Sequence, residues 1–392
     1  MLQYDLRPGT APQAPRSRSR DAVLAELSPV LFSSLQRSDQ CRKGMHYVRG
    51  LLKAQGRKSI RNLAALFGDE VSEQNLHHFI SGSTWDWVPI RRALAQHLTG
   101  VTPPQAWVVR PMIIPKSGQH SVGVDKRFVP ALGQVLNAQR AIGVWAASEE
   151  ASVPINWRLH LPNAWLKDDL RRSRVSIPEG VHAEDLSECV VRARAEIATD
   201  WELPGLPTVF DTCEADPVTI FGRLAARGAP LLVRIGCDQR LAVTDTVLPA
   251  SGGKLLSAFQ IMSQVKDMRR PVIWRRPDAE PAQRTYLAAA VDVALPSESA
   301  PTGAGDGLRL LGVGEENRPW PTSVWLTNMT TVSPASLVRL SRLPDMVDRD
   351  FEEISDRVGI RDFTGRSFGG WHRHVTLASA AHAVVALADR AG

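Results

Sequence analysis

Residues 207–236 read PTVFDTCEADPVTIFGRLAARGAPLLVRIG. The run PTVFDTC is short, apolar and β-branched, which predicts a buried strand. TIFGRLAARG has helical spacing and ends in glycine, the residue that most readily closes a helix in the left-handed conformation. APLLVRIG predicts the next strand. Such a strand–helix–strand succession lays two strands side by side in parallel, with the helix packed across them. The expected fold class is therefore α/β, a mixed sheet with flanking helices.

Working upstream, WVVRPMIIP, HSVGVDKRF, RAIGVWAAS and INWRLHLP are further β-branched runs, beginning after the Pro103-Pro104 break. The stretch from Pro178 to about Thr199 is polar and predicts a helix. Downstream, PVIWRR, LRLLGVG and TSVWLTN lie in a Pro/Gly-rich region, about 241–328, and predict a small inserted β subdomain. The chain then turns helical again through SPASLVRLSRL and DMVDRDFEEISDRVG. Its last segment, HVTLASAAHAVVALA, is uncharged until Asp389 and should be buried. From Asp21 to about Leu98 the apolar spacing is also helical, whereas residues 1–20 are rich in Pro, Arg and Ser and read as a flexible basic arm. The expected organisation is an arm at 1–20, a helical DNA-binding or dimerisation domain at 21–100, and a sheet domain at 101–392.

The chain has 392 residues, with 43% hydrophobic and 22% charged, the balance of a globular protein with a large core. It contains no run of about 18 apolar residues, so no membrane-spanning helix is expected. The opening residues lack the apolar stretch of a signal peptide, and a cytoplasmic, nucleoid-associated location is expected. Cys41, Cys189, Cys213 and Cys237 are scattered, without the paired spacing of a zinc ribbon or a disulfide framework. Residues 1–100 carry 14 Lys and Arg against 8 Asp and Glu, so the whole net charge of +6 falls there. A basic excess concentrated in one region points to a polyanion such as double-stranded DNA. A solvated basic face is the plainer alternative.

Within that region, SIRNLAALFGDEVSEQNLHHFISGS predicts two short helices joined by a tight turn. Ser59 and Ser72 can cap them, and Gly68 fits the turn. The arrangement is that of a helix-turn-helix, with Gln74, Asn75, His77 and His78 on the helix that would enter DNA, and Arg57, Lys58 and Arg61 flanking the first helix. A small helical bundle gives the same spacing. Trp85 and Trp87 are expected to staple this region to the sheet, with base stacking as the alternative.

Seven segments in order resemble the insertion-sequence DDE transposases, specifically the insertion sequence 701 group within the larger insertion sequence 4-like superfamily. They are YVRGLL, RKSIRNLA, LHHFISGSTWDW, IPKSGQHSVGV, INWRLHLPNAW, the pair Arg171-Arg172, and FTGRSFGGWHRHVTL. The resemblance runs from about Arg42 to Leu387. It implies an RNase H-like fold with a helical N-terminal domain, and DNA cleavage and strand transfer by two Mg²⁺ ions. Such ions, about 4 Å apart, neutralise the charge that builds on the attacking and leaving oxygens. They take hard oxygen ligands, which the family supplies as two Asp and one Glu.

Carried onto this chain, the second carboxylate is Asp211. The third position, set by its spacing before the aromatic Phe351, is Asp348, and Ser355 stands where the family has a phosphate-contacting Lys. The first position lies shortly before Pro115-Lys116 and holds Arg110 and Pro111 instead of an Asp pair. A guanidinium there opposes cation binding. Asp125, Glu214 and Asp216 are the acids that could substitute; Asp125 reads more plainly as a strand-end charge paired with Lys126 or Arg127. Arg366 and Arg373 in the final motif are expected at DNA, and His372 and His374 are expected as caps or phosphate contacts.

The resulting expectation is a transposase-like DNA-binding protein with a remnant Asp211–Asp348 pair, no cofactor, and a role as regulator or domesticated factor, with a homodimer as a further expectation. An active Mg²⁺-dependent transposase with an unusual triad is the alternative. A decayed copy is a third reading. A fourth reuses the pocket for small-molecule chemistry, with Asp125, Asp211, Asp348, His120 or His160 as acid or base.

Overall fold

A computed structural model describes residues 18–129, 133–199, 201–212, 214–225, 228–245, 248, 254–275, 283–296 and 307–389. Most of the expected basic arm, and Cys213, lie outside the described residues. Five helices open the described chain: α1 (Arg20–Leu31), α2 (Ser38–Lys53), α3 (Ile60–Ala64), α4 (Glu73–His77) and α5 (Val88–Val101). Both expected serine caps form: Ser59 accepts from Asn62 N at 3.2 Å and Ser72 from Asn75 N at 3.2 Å. Gly68 adopts φ +54°, the left-handed turn that separates the two helices.

The sheet begins with β1 (Ala106–Pro115), β2 (Asp125–Val129), β3 (Gln134–Ala147) and β4 (Ser152–His160). Helices α6 (Asn163–Leu166), α7 (Asp169–Arg174) and α8 (Leu186–Thr199) lead to β5 (Thr208–Phe210), α9 (Pro217–Leu224) and β6 (Leu231–Ile235). The polar stretch expected to be helical from Pro178 becomes helix only at Leu186. Asp216 caps α9, accepting from Val218 N and Thr219 N, and Pro217 fits the first helical turn, where its missing N–H costs nothing. As expected, β5 and β6 are parallel, and β5 is also parallel to β1.

The strand order β4–β3–β1–β5–β6 is that of an RNase H-like core, three antiparallel strands followed by two parallel ones. The inserted β region then extends the same sheet. It comprises β7 (Arg240–Val243), β8 (Leu255–Ser257), α10 (Ala258–Gln264), β9 (Arg270–Arg275), β10 (Gln283–Ala294), β11 (Leu308–Glu315) and β12 (Ser323–Thr327). It joins through β12, which pairs antiparallel with β6. Three helices close the chain: α11 (Pro334–Ser341), α12 (Leu343–Asp350) and α13 (Phe368–Asp389).

Helix α13 is buried along almost its whole length, as its uncharged sequence requires. It packs on β4 and on α1 and α2, so the N-terminal helices and the sheet share one continuous core. Arg91 of α5 locks that junction. Its guanidinium donates to Thr376 Oγ1, Asn156 Oδ1, the Trp157 carbonyl and the His372 carbonyl, and lies 3.1 Å from His372 Nδ1. Gly143 on β3 has no room for a side chain: a Cβ would fall 2.7 Å from the Trp157 ring.

Candidate functional site

The parallel register Val109↔Phe210 brings Arg110 and Asp211 side by side where β5 ends. Helix α12 crosses β1, β3 and β4 and sets Asp348 over the same spot. Arg110 Nη1 lies 2.5 Å from Asp348 Oδ2 and 3.6 Å from Asp211 Oδ2, and donates to the Pro344 carbonyl at 3.1 Å. Arg234 of β6 holds the other Asp211 oxygen at 2.8 Å. The three positions that the resemblance marks, Asp211, Asp348 and Arg110, thus fall in one cluster. Arg234 was missed, although LLVRI showed the signal: a lone charge in a buried strand needs a partner.

The cluster balances two carboxylates with two guanidiniums. Asp211 is nearly enclosed, whereas the Asp348 side chain is 56% exposed. Burial raises the Asp348 pKa; Arg110 opposes the rise, and Asp211 and Asp345 add to it. A two-metal centre does not fit these residues. Arg110 takes up lone pairs that a cation would need, and a guanidinium keeps its charge at any physiological pH. Among the described residues no three His, Cys, Asp or Glu side chains group to hold a metal ion.

Pro111 sits within β1 without breaking it. Its row lies past the last residue of β5, so no neighbouring strand lacks the N–H that proline cannot donate.

The acids expected as substitutes are engaged elsewhere. Asp125 is exposed on β2, and its carboxylate accepts from the Lys126 backbone N–H rather than pairing with a cationic side chain. Glu214 pairs with Arg140 at 2.8 Å, and Arg140 points to the opposite sheet face from Arg110. Asp216 is the α9 cap. His160 contacts Arg127 Nη2 at 3.3 Å and is distant in register from Arg110, while His120 is exposed in the loop after β1. Of the acid and base candidates for small-molecule chemistry, Asp211 and Asp348 share the Arg110 cluster, whereas Asp125, His120 and His160 do not join it.

Ser355, which stands where the family has a phosphate-contacting Lys, is fully buried with its Oγ bonded to His382 Nδ1 at 2.8 Å, so this position reaches no phosphate. Lys58 is also buried: its ammonium donates to the Ala54 carbonyl and its N–H to Asp362 Oδ2, which removes it from the DNA-facing set. Arg373 is buried as well, donating to the Trp85 and Ile80 carbonyls at 3.0 Å each. His372 and His374 are internal and contact no surface anion. By contrast Arg57, Arg61, Arg366, Gln74, Asn75, His77 and His78 are all exposed, and Leu76 between them is buried and anchors α4. Trp85 stacks on Phe79 and its carbonyl accepts from Arg373 of α13, and Trp87 stacks on His372 of α13 at 4.6 Å, so both tie the N-terminal helices to α13.

The model of the DDE superfamily endonuclease family matches residues 30–292, two-thirds of the chain. The protein is a member of the DDE superfamily endonucleases. No curated protein matched the chain. In this DDE-family protein the matched region contains Arg110 and Asp211, while Asp348 lies beyond it on α12. Membership implies a nucleic-acid substrate. No helix among the described residues is long and apolar enough to cross a membrane.

Proposed function

We propose that this protein is a transposase-like DNA-binding protein that has lost metal-dependent strand cleavage and acts as a regulator or domesticated factor. One observation carries the reading: the Arg110 guanidinium bridges the two surviving carboxylates, where the chemistry needs divalent cations. Repulsion between that fixed charge and an Mg²⁺ ion in the same space is large at such short range. The exposed polar face of α4 and the exposed Arg57 and Arg61 supply the kind of surface that binds DNA. The narrower placement in the insertion sequence 701 group rests on the seven sequence segments.

The test is direct. Purified full-length protein is incubated with supercoiled plasmid and short duplexes in Mg²⁺ or Mn²⁺. Salt-sensitive gel shifts without nicking are expected. Robust metal-dependent nicking by the unmodified protein would overturn the loss of cleavage, and failure to shift any duplex would overturn the DNA-binding role.

A further inference from the structure

Strand β3 is 14 residues long, and its two ends have different neighbours. Residues from Ala138 onward pair with β1, and from Arg140 onward with β4 as well. Residues 134–137 pair with β2 alone, so β2 and the start of β3 form a two-stranded ribbon that runs past the rest of the sheet. On this ribbon Phe128 and Val135 stand directly opposite each other, 61% and 60% exposed. A paired aromatic and β-branched residue ordinarily lies against a core. Here the pair faces solvent.

Opposed residues share a sheet face, and so do residues two apart along a strand. Gly143 opposes Arg110, and Val135 lies eight residues back along β3. Phe128 and Val135 therefore share the face that carries the Arg110–Asp211–Asp348 cluster, displaced from it by about 27 Å of strand. That distance corresponds to about eight base pairs of B-form duplex. The surroundings are cationic. Lys126 is exposed on the same face as Phe128, whereas Asp125 points to the other. Lys116, where β1 gives out, is turned inward, its ammonium donating to the Phe363 carbonyl at 2.8 Å, and is not part of this surface. Arg366 is exposed, and its carbonyl accepts from Val122 N in the loop that leads to β2.

We infer that the β2–β3 ribbon is a second DNA contact, in which Phe128, backed by Val135, wedges into a base step of a duplex that Lys126 and Arg366 hold by its phosphates. The inference rests on the DNA-binding reading above. Apolar side chains inserted between base steps unstack them and kink the duplex, and flanking cations hold the bent backbone. Phosphate contacts alone would not call for an exposed aromatic.

The experiment uses the full-length protein and a short mixed-sequence duplex with donor and acceptor dyes at its two ends. Binding is read by anisotropy, and bending by energy transfer between the ends. Wild-type protein should bring the ends closer. The double variant Phe128→Ser, Val135→Ser should abolish that gain and weaken binding about tenfold, the order of one lost stacking contact. Its salt slope should not change, because no charge is removed. Phe128→Trp should restore the bending. If wild-type and the double variant bend the duplex equally, the wedge is wrong while DNA binding stands. If wild-type binds no duplex, the DNA-binding reading fails and the wedge with it. If the double variant changes only the oligomeric state in size-exclusion chromatography, the apolar pair meets a second copy and the inference is overturned.

Discussion

Tyr47 of α2 and His374 of α13 share a hydrogen bond of 2.8 Å deep in the core. The other ring nitrogen, His374 Nε2, lies 2.9 Å from the Gly359 carbonyl, which can only accept. Nε2 therefore carries the proton, Nδ1 is the acceptor, and the Tyr47 hydroxyl donates. His382 repeats the arrangement: Nε2 donates to the Ser152 carbonyl, and Nδ1 accepts from Ser355 Oγ. Both rings are held neutral, and protonation at Nδ1 would reverse a bond that joins separate elements and leave a charge buried in the core.

The first prediction is a pH dependence. Burial lowers the pKa of both His374 and His382 to about 4, from 6.5 for an open histidine. The unfolded chain therefore takes up protons that the folded chain refuses. Stability is intact above pH 6.5 and falls as pH drops toward about 4, each ring contributing on the order of 3 kcal/mol. Thermal unfolding midpoints should fall steeply across that window. His382→Gln should flatten the fall; an unchanged slope would mean the ring is not buried neutral.

The second prediction concerns Arg91. Its guanidinium donates to Asn156 Oδ1 and the Trp157 carbonyl on β4, and on α13 to Thr376 Oγ1 and to the His372 carbonyl, which it shares with the Thr376 hydroxyl. Arg91→Met keeps the length of the stem but strands several buried acceptors, which should cost about 3 kcal/mol or more. Urea unfolding reads this as a lower midpoint. A loss below about 0.5 kcal/mol, the range of surface substitutions, would contradict the role assigned to Arg91.

The third prediction separates two adjacent residues. Arg57 is exposed and Lys58 is 7% exposed. Arg57→Ala should weaken binding to all duplexes alike and reduce the salt slope by about one. Lys58→Ala should instead lower the melting temperature and leave the salt slope unchanged. Gln74→Ala with Asn75→Ala should cost mainly sequence discrimination, about 1–3 kcal/mol per lost bidentate contact.

That contrast marks what the sequence made legible. Periodicity, caps and turn residues are local, so the strand–helix–strand core, the Ser59 and Ser72 caps and the buried last helix could all be read in advance. Asp348 was found through the family resemblance, which sets the third carboxylate three residues before an aromatic, here Phe351. Lys58 was misplaced because its burial depends on Gly359 and Asp362, some 300 residues away, whose backbone and carboxylate close over it. Arg373 was misplaced for the same reason. A polar residue in an apolar helix signals only that it needs a partner. The partner here, the Trp85 carbonyl, is known only once the fold has formed.

The last prediction returns to Arg110. Wild-type melting should not respond to Mg²⁺, because the guanidinium already neutralises both carboxylates. Arg110→Asp reverses the local charge: three carboxylates then face one another, with Arg234 as the cation still in contact. Their repulsion should destabilise the variant without metal and raise the pKa of Asp348 further, since Arg110 is what now opposes the rise. Millimolar Mg²⁺ should then raise the melting temperature, because a ligand that binds only the folded state stabilises it. Nicking should still be absent. Arg234 continues to hold one oxygen of Asp211, and Ser355 is turned into the core, unable to contact a phosphate. Adding Arg234→Gln to Arg110→Asp should strengthen the Mg²⁺ response. Melting curves with and without Mg²⁺, run beside a plasmid-nicking assay, read both halves of the argument. An equal Mg²⁺ response in wild-type protein would show that Arg110 does not occupy the cation position.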